Sequence, residues 1–425
     1  MEDRARWIRD IISAEIIQRK EEGYDPSGLE RDCDRVRDSG RLEDLELLWR
    51  RFESLGPLPA FCYREPSTLD EIRAASRGEI GEPQIDGNLD DRMLGAWLGR
   101  CAGCLLGKPV EGWGKERIEE YLRSEDAYPL DDYLPGPGGG NGPGPIGIRG
   151  SIDCMPRDDD TDYTILGLHV LENHGKGANS EVIASEFLRR LPYYSVYTAE
   201  RIAYMNLVNM VPVPKTATYL NPYREWIGAQ IRADPWGYAY PGNPAMAAEM
   251  AFRDARISHV KNGIYGSMMV AAMVSRAFST DDVESIIDAG LSVIPGESRL
   301  HVAVTSLRGW VSERESWLDC WEKVRVGYGD YSPVHTINNA LIVVLALLYG
   351  KGDYSRSICL AVMGGWDTDC NGATVGSILG AMGGAVSIPS RWARPLNDTV
   401  KSDVLGYRVS RISELAARMA KVAAD

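Results

Sequence analysis

Apolar residues in this chain recur at the three- and four-residue intervals of an α-helix almost from end to end, and the strict alternation of a half-buried strand is nearly absent. The periodicity predicts helices at 5–22, 42–55, 90–106, 115–124, 161–173, 180–191, 199–208, 244–254, 264–278, 280–290, 298–314, 316–326, 335–349, 353–363, 372–384 and 402–420. That inventory is all-α, a compact domain in which helices bury their apolar faces on one another. Three stretches interrupt it. Residues 1–88 are charge-rich and helical, end in a Gly/Pro-containing linker at about 78–87, and read as a helical N-terminal extension to a domain at 89–425. Residues 128–157 carry the run Pro135-Gly136-Pro137-Gly138-Gly139-Gly140, and 210–243 carry Pro212, Pro214, Pro222, Pro235 and Pro241. Neither stretch can be regular structure, and a long loop inside a compact domain is usually functional or disordered.

Composition narrows the function classes. A net charge of −14 repels phosphate backbones, and no run of Lys and Arg offsets it, so no nucleic-acid partner is expected. The opening residues are charged rather than an apolar leader, and the most apolar stretch, 340–349, is about half of what a bilayer crossing needs. The expectation is a cytoplasmic protein with no membrane partner. The eight cysteines are too scattered for a disulfide framework, and the lone Cys101/Cys104 pair reads as two small buried residues on a helix.

Two acidic clusters each sit just before a predicted helix: Asp158-Asp159-Asp160-Thr161 and Trp366-Asp367-Thr368-Asp369-Cys370-Asn371. One Asp at a helix start is an ordinary cap, because the first N–H groups lack partners and the dipole end is positive. Three consecutive carboxylates exceed what capping requires: they face solvent, or a cation sits among them. The flanks of the second cluster are small and apolar, so its carboxylates are expected to be buried, and buried carboxylates need partners. No Lys or Arg adjoins Asp367 or Asp369, which makes a metal the simplest partner. Oxygen-rich ligands without His or paired Cys suit Mg²⁺, or Mn²⁺, better than zinc. A third element, Gly99 to Trp113, has glycines at 95, 99, 103 and 107, the spacing of close helix–helix packing; Glu111 lies past the helix end and is a candidate general base or mobile ligand.

Taken together and in this order, the three motifs resemble those of the ADP-ribosylglycohydrolase family, which includes the enzyme that reactivates dinitrogenase reductase. Gly103 to Glu111 is similar to the first motif, Asp158 to Thr161 to the second, and Asp367 to Cys370 to the third; the resemblance covers about 90–390. It implies an orthogonal multi-helix fold with two Mg²⁺ ions (or Mn²⁺) held by Asp158, Asp159, Asp160, Asp367 and Asp369, and a mobile Glu111. It also implies hydrolysis of the N- or O-glycosidic bond of ADP-ribose in a modified protein or small acceptor, with Glu111, Asp159 and Asp369 catalytic. Substrate contacts would come from His259, Asn262, Arg232 and Trp366. Cys104 stands where the family usually has Asp, Asp158 where it has Thr, and Cys370 where it has Thr, with Asn371 or a water then completing that site. The stretch 221–226 does not look like the family's glycine cradle for phosphate, although Gly228-Ala229-Gln230-Ile231-Arg232 matches the family's Gly-Ala-x-x-Arg stretch, which comes after that cradle. Two further readings therefore stand beside the first: the same chemistry on a nucleoside, nucleotide or other N-glycoside, and an inactive ADP-ribose-binding paralogue, which the retained carboxylates oppose.

Overall fold

The computed structural model describes residues 2–76, 78, 88–136, 142–313 and 315–424; the linker expected at 78–87, Gly78 apart, and the glycine run at 137–140 lie outside them. Among the described residues there are twenty α-helices and a single antiparallel pair of short strands, so the chain is all-α. Five helices matter for the site: α1 (Glu2–Glu21), α2 (Leu89–Gly107), α3 (Asp159–His174), α4 (Thr336–Gly350) and α5 (Thr368–Gly383). No helix is long and apolar enough to cross a membrane.

The centre of the fold is the antiparallel pair α2 and α5. Helix α2 starts at Asn88, whose side chain accepts from the N–H groups of Asp90 and Asp91. Downstream it is buried on nearly every side. A Cβ added at Gly95, Gly99, Gly103 or Gly107 would lie 2.3, 2.1, 2.0 and 2.2 Å from the backbone oxygens of Gly380, Gly376, Gly372 and Thr368. The partner glycines meet the same limit from the other side: at Gly372, Gly376 and Gly380 a Cβ would come within 2.3, 2.1 and 2.0 Å of the oxygens of Gly103, Gly99 and Gly95. Backbone therefore lies on backbone along three turns. Tyr354 Oη donates to Gly99 O (3.0 Å) and Thr368 Oγ1 donates to Gly107 O (2.8 Å), which fixes the register. The end of α2 and the turn carrying Lys108 and Glu111 are thereby set against the start of α5.

The helices that open the chain form a smaller core, in which Ile8, Ile12, Val36, Leu48 and Phe52 pack together and meet Ile202 and Leu220 of the main body. The inward face of α1 also carries charge. Arg224 is clasped by Glu15 (2.6 Å) and Glu22 (2.8 Å), and Gln18 Nε2 donates to Glu225 (3.0 Å). Arg299 bridges Glu65 and Glu225, at 2.8 Å each. All of these side chains are buried. Burial alone would raise the Glu225 carboxyl, yet Arg299 and Lys261 hold it far below its ordinary value.

Departures from the periodicity have local causes. Helix α5 begins at Thr368, four residues earlier than the 372 expected, so Asp369 lies within its first turn. The helix expected at 402–420 is instead the hairpin Thr399–Lys401/Val409–Arg411 followed by a helix at Ile412–Ala424. Asp398 redirects the chain there, accepting from Ser413 N (2.7 Å) and pairing with Arg411 (2.9 Å). The helix Glu30–Ser39 buries only Cys33 and Val36, too sparse an apolar face for a periodicity argument. Within the proline-rich 210–243 stretch a short helix, Asp234–Ala239, forms because Pro235 occupies its first turn, where no N–H is needed.

Gly103→Ala should destabilise the fold by about 3 kcal/mol, because neither helix can yield at this contact. Gly309→Ala, on an exposed helical position with nothing within 4 Å, should be neutral or stabilising by up to about 1 kcal/mol. Urea unfolding of both variants makes the comparison; equal midpoints would remove the backbone contact from the account of this fold.

Candidate active site

Asp158 is the N-cap of α3: Asp160 N donates to its Oδ1 (3.0 Å), and Thr161 Oγ1 donates to its carbonyl (3.1 Å). Asp367 occupies the N-cap position of α5 without making a capping bond. The two helix starts face one place. The donor atoms of Cys104, Asp158, Asp160 and Asp369 lie within 4.8 Å of one another, as do those of Asp367, Asp369 and Cys370, and all are buried. Asp369 belongs to both groups. Aspartates some two hundred residues apart thus converge, and they do so at two positive helix ends. Asp159 stands outside both groups and lines the adjoining cleft together with Glu111.

The second acidic segment is held tightly from outside. Gly365 (φ +79°) and Trp366 (φ +63°) are both left-handed, and a Cβ at Gly365 would lie 2.7 Å from Lys115 N. Gly112 N donates to Trp366 O and Trp366 N to Trp113 O, both at 3.0 Å, tying the Glu111 turn to the Asp367 turn. A non-glycine residue held in this region stores strain, which surrounding structure must offset. Asn339, in the first turn of α4, accepts from Asp367 N (3.2 Å) and from Asn371 Nδ2 (2.9 Å) through its Oδ1. Asn371, expected as a substitute ligand, thus holds the loop through its Nδ2, while its Oδ1, the atom a cation would need, is buried without a hydrogen-bond partner. His335 caps α4, its Nδ1 accepting from Ile337 N at 3.1 Å; burial pushes its pKa down to about 3, which keeps it neutral and able to accept.

Cations reach part of the cluster from distant sequence. Buried Arg100 pairs with Asp160 (3.0 Å) and Asp234 (2.7 Å), and the Lys108 ammonium is in contact with Asp158. These partners serve the first acidic segment, whereas Asp367 and Asp369, beside which the sequence has no Lys or Arg, gain none among the described residues. Asp159, Asp367 and Asp369 have no ion pair among the described residues, and Asp369 Oδ1 is buried without a hydrogen-bond partner. Burial, then neighbouring negative charge, raises Asp159 and Asp369 well above the usual carboxylate range; burial also raises Asp367 and, against the pull of Arg100, Asp160. Glu111 as a residue is exposed on the rim, but its carboxyl leans inward. Removal from water there, followed by the charges of Asp367 and Asp158, brings its pKa up to about 6. An oxygen-rich donor set, an excess of carboxylate over cation and an orphaned carboxylate oxygen are what a divalent cation fits.

The cleft above the cluster has a volume of about 370 Å³, and its walls include Arg157, Tyr197, Glu200, Trp226 and Val334. The four expected substrate contacts lie elsewhere. Arg232 is buried between Glu200 and Asp254 (2.6 Å to the latter). Fully buried His259 shares a hydrogen bond with Ser258 (2.8 Å) and is kept neutral by burial. Asn262 donates to Glu65 and Glu225, both at 2.8 Å. Trp366 packs on Trp321, with ring centroids 6.5 Å apart. Arg157 and Lys108 went unrecognised although one adjoins Asp158 and the other precedes Glu111 by three positions. Nothing in the sequence marks Tyr197, Glu200 or Trp226. A wider open groove of about 560 Å³ beside the hairpin has arginines already paired, Arg411 with Asp398 and Arg418 with Glu172.

A family model described as ADP-ribosylglycohydrolase matches residues 86–425. Uncharacterized protein YegU of Escherichia coli (strain K12) is 21% identical over 319 residues, which are 70% of this chain and 89% of that protein. Among solved structures, a chain titled ADP-ribosylglycohydrolase-related protein complex superposes with a TM-score of 0.52 at 22% identity, covering 79% of this chain and 98% of that one.

Besides the floor aspartates, Glu111, Asp162 and Glu21 bind protons more tightly in the fold than in the unfolded chain, each chiefly because of burial: Glu111 moves from 4.5 to about 6, Asp162 from 3.8 to about 6, and Glu21 from 4.5 to about 7. A raised folded pKa gives stability that is complete below the unfolded value and is lost as pH rises through the folded one. The metal-free melting temperature should therefore fall between about pH 4.5 and 7. Asp369→Asn, which takes one charge from the cluster, should raise it by a few degrees at pH 8. Calorimetry in chelator across this range would refute the electrostatic account by finding a rising melting temperature.

Proposed function

The chain belongs to the ADP-ribosylglycohydrolase family, and on that premise we propose that it hydrolyses the bond between C1 of an ADP-ribosyl ribose and an N- or O-linked acceptor, on a modified protein or a small molecule. One observation carries this reading: two helix starts bring Asp158, Asp160, Asp367 and Asp369 onto one buried, oxygen-rich floor, with Asp159 and Glu111 lining the cleft above it. Mg²⁺ ions, or Mn²⁺, held by Asp158, Asp159, Asp160, Asp367 and Asp369 would supply Lewis-acid orientation of ribose hydroxyls and acidification of a water.

The remaining roles belong to side chains. Glu111, with a pKa of about 6, is poised to take the proton of the attacking water near neutral pH. Its position beyond the end of α2, before Gly112 (φ +74°), leaves it on a turn rather than a rigid helix. Asp159 and Asp369 would stabilise positive charge developing at C1 and the ring oxygen, as carboxylates do in glycoside hydrolysis. Lys108, on Asp158, offsets part of the negative charge of the floor. Trp226 and Tyr197 supply apolar wall against which a sugar or base can lie.

A second reading has a specific observation in its favour. The segment before Gly228 is locked to α1 and to Arg299, with Arg224 committed to Glu15 and Glu22, and Arg232 committed to Glu200 and Asp254. Neither arginine is available to a diphosphate. A nucleoside, nucleotide or other N-glycoside would need no such cradle. Mass spectrometry of products from ADP-ribosylated protein and from free nucleosides distinguishes the two; turnover of neither would revive an inactive, ligand-binding role.

Asp367→Asn and Asp159→Asn should abolish divalent-cation binding and turnover while the protein remains folded. Wild-type turnover of either variant in chelator would remove the metal from the mechanism. Glu111→Gln should lower kcat by about 10²–10⁴-fold, with cation affinity by titration calorimetry nearly unchanged. Equal losses of affinity and rate would make Glu111 a ligand rather than a base.

A further inference from the structure

Each of the two donor groups on the cleft floor contains one thiol. Cys104 Sγ lies with oxygens of Asp158, Asp160 and Asp369, and Cys370 Sγ with those of Asp367 and Asp369, all within 4.8 Å in each group. Cys370 Sγ is also 3.2 Å from Asp160 Oδ2. Both cysteines are buried, and neither is in a disulfide. The orphaned Asp369 Oδ1 independently marks this place as one that wants a cation, since a buried oxygen without a partner is costly. We infer that Cys104 and Cys370 are metal ligands, so that this centre prefers a borderline-soft divalent ion, of the Zn²⁺, Fe²⁺ or Co²⁺ class, over Mg²⁺.

The inference rests on the metal reading above and narrows it. Mg²⁺ demands oxygen donors and near-ideal octahedral geometry, whereas thiolate donors select softer ions. Thiols placed at the edge of an all-carboxylate site would be bystanders; these two are distributed one to each donor group, with Asp369 common to both. Ligation replaces an S–H bond by an S–metal bond and releases the proton to solvent, so no oxidant or reductant is required. Lys108, in contact with Asp158 beside Cys104, supplies positive charge that helps the site tolerate the added anion.

The test is a titration of the metal-free full-length chain with Co²⁺, read by absorption. Cys62, the exposed cysteine, is replaced by serine throughout to remove surface binding. The expected result is a sulfur-to-cobalt charge-transfer band in the near ultraviolet that saturates with binding. Cys104→Ser and Cys370→Ser should each weaken the band and lower Co²⁺ affinity about 10–100-fold, leaving Mg²⁺ affinity nearly unchanged. Cys104→Asp should shift the preference back toward Mg²⁺ in competition calorimetry. Co²⁺ binding without a sulfur band in the parent protein would overturn the thiol assignment and leave the metal reading standing. Failure of any divalent ion to bind would overturn both.

Discussion

Everything at the cleft depends on how closely α2 and α5 approach. Helices with ordinary side chains at their contact keep axes about 8–10 Å apart; here glycine opposes glycine over three turns, and no side chain can enter as a spacer. The consequence is chemical as well as mechanical. A wider pair would separate Cys104 and Lys108 from Asp369 and Cys370, and the donor groups would lose their common member. The same contact aligns the end of one helix with the beginning of the other, so that a turn carrying a free glutamate meets a helix start carrying aspartates. Precision here comes from backbone, which has no rotamers to relax.

The cluster so formed is at odds with itself. Five aspartates, one glutamate and two thiols gather around a lysine and an arginine, most of them out of water. The fold maintains this arrangement with strain at Trp366, cross-bonds between the 112–113 and 366 turns, and the Asn339 anchor. Such expense in conformational energy is typical of places where binding or catalysis, rather than stability, has shaped the sequence.

Much of this was legible from residues alone, and the rest was hidden for definite reasons. Helix periodicity located most helices because burial imposes it locally. The acidic clusters stood out because adjacent carboxylates exceed what capping needs, and the glycines at 95–107 announced a close contact. The matching row at Gly372, Gly376 and Gly380 was equally visible, yet one sequence does not say which row meets which. Arg100 and Lys108 escaped as partners of Asp160 and Asp158 because proximity along the chain says nothing about proximity across helices. His259, Asn262 and Arg232 carry chemistry-bearing side chains and were expected to meet substrate; burial turned them into structural members instead. Glu200 and Trp226 reach the cleft from segments with no motif, where only the fold brings them in.

The charged seam beneath α1 bears on where this protein can be cut. Composition suggests that residues 89 onward are separable, and the family match begins near the same point, at 86. Yet both acidic clasps of Arg224 come from α1 and the turn after it, and Arg299 takes Glu65 from the same side. A truncated chain would strip Arg224 of both counterions and leave Arg299 with Glu225 alone, beside a scar of apolar surface formed by Ile202 and Leu220. The seam thus binds the extension and the 221–226 segment into one electrostatic unit, so that a charge removed on either side leaves a buried opposite charge on the other.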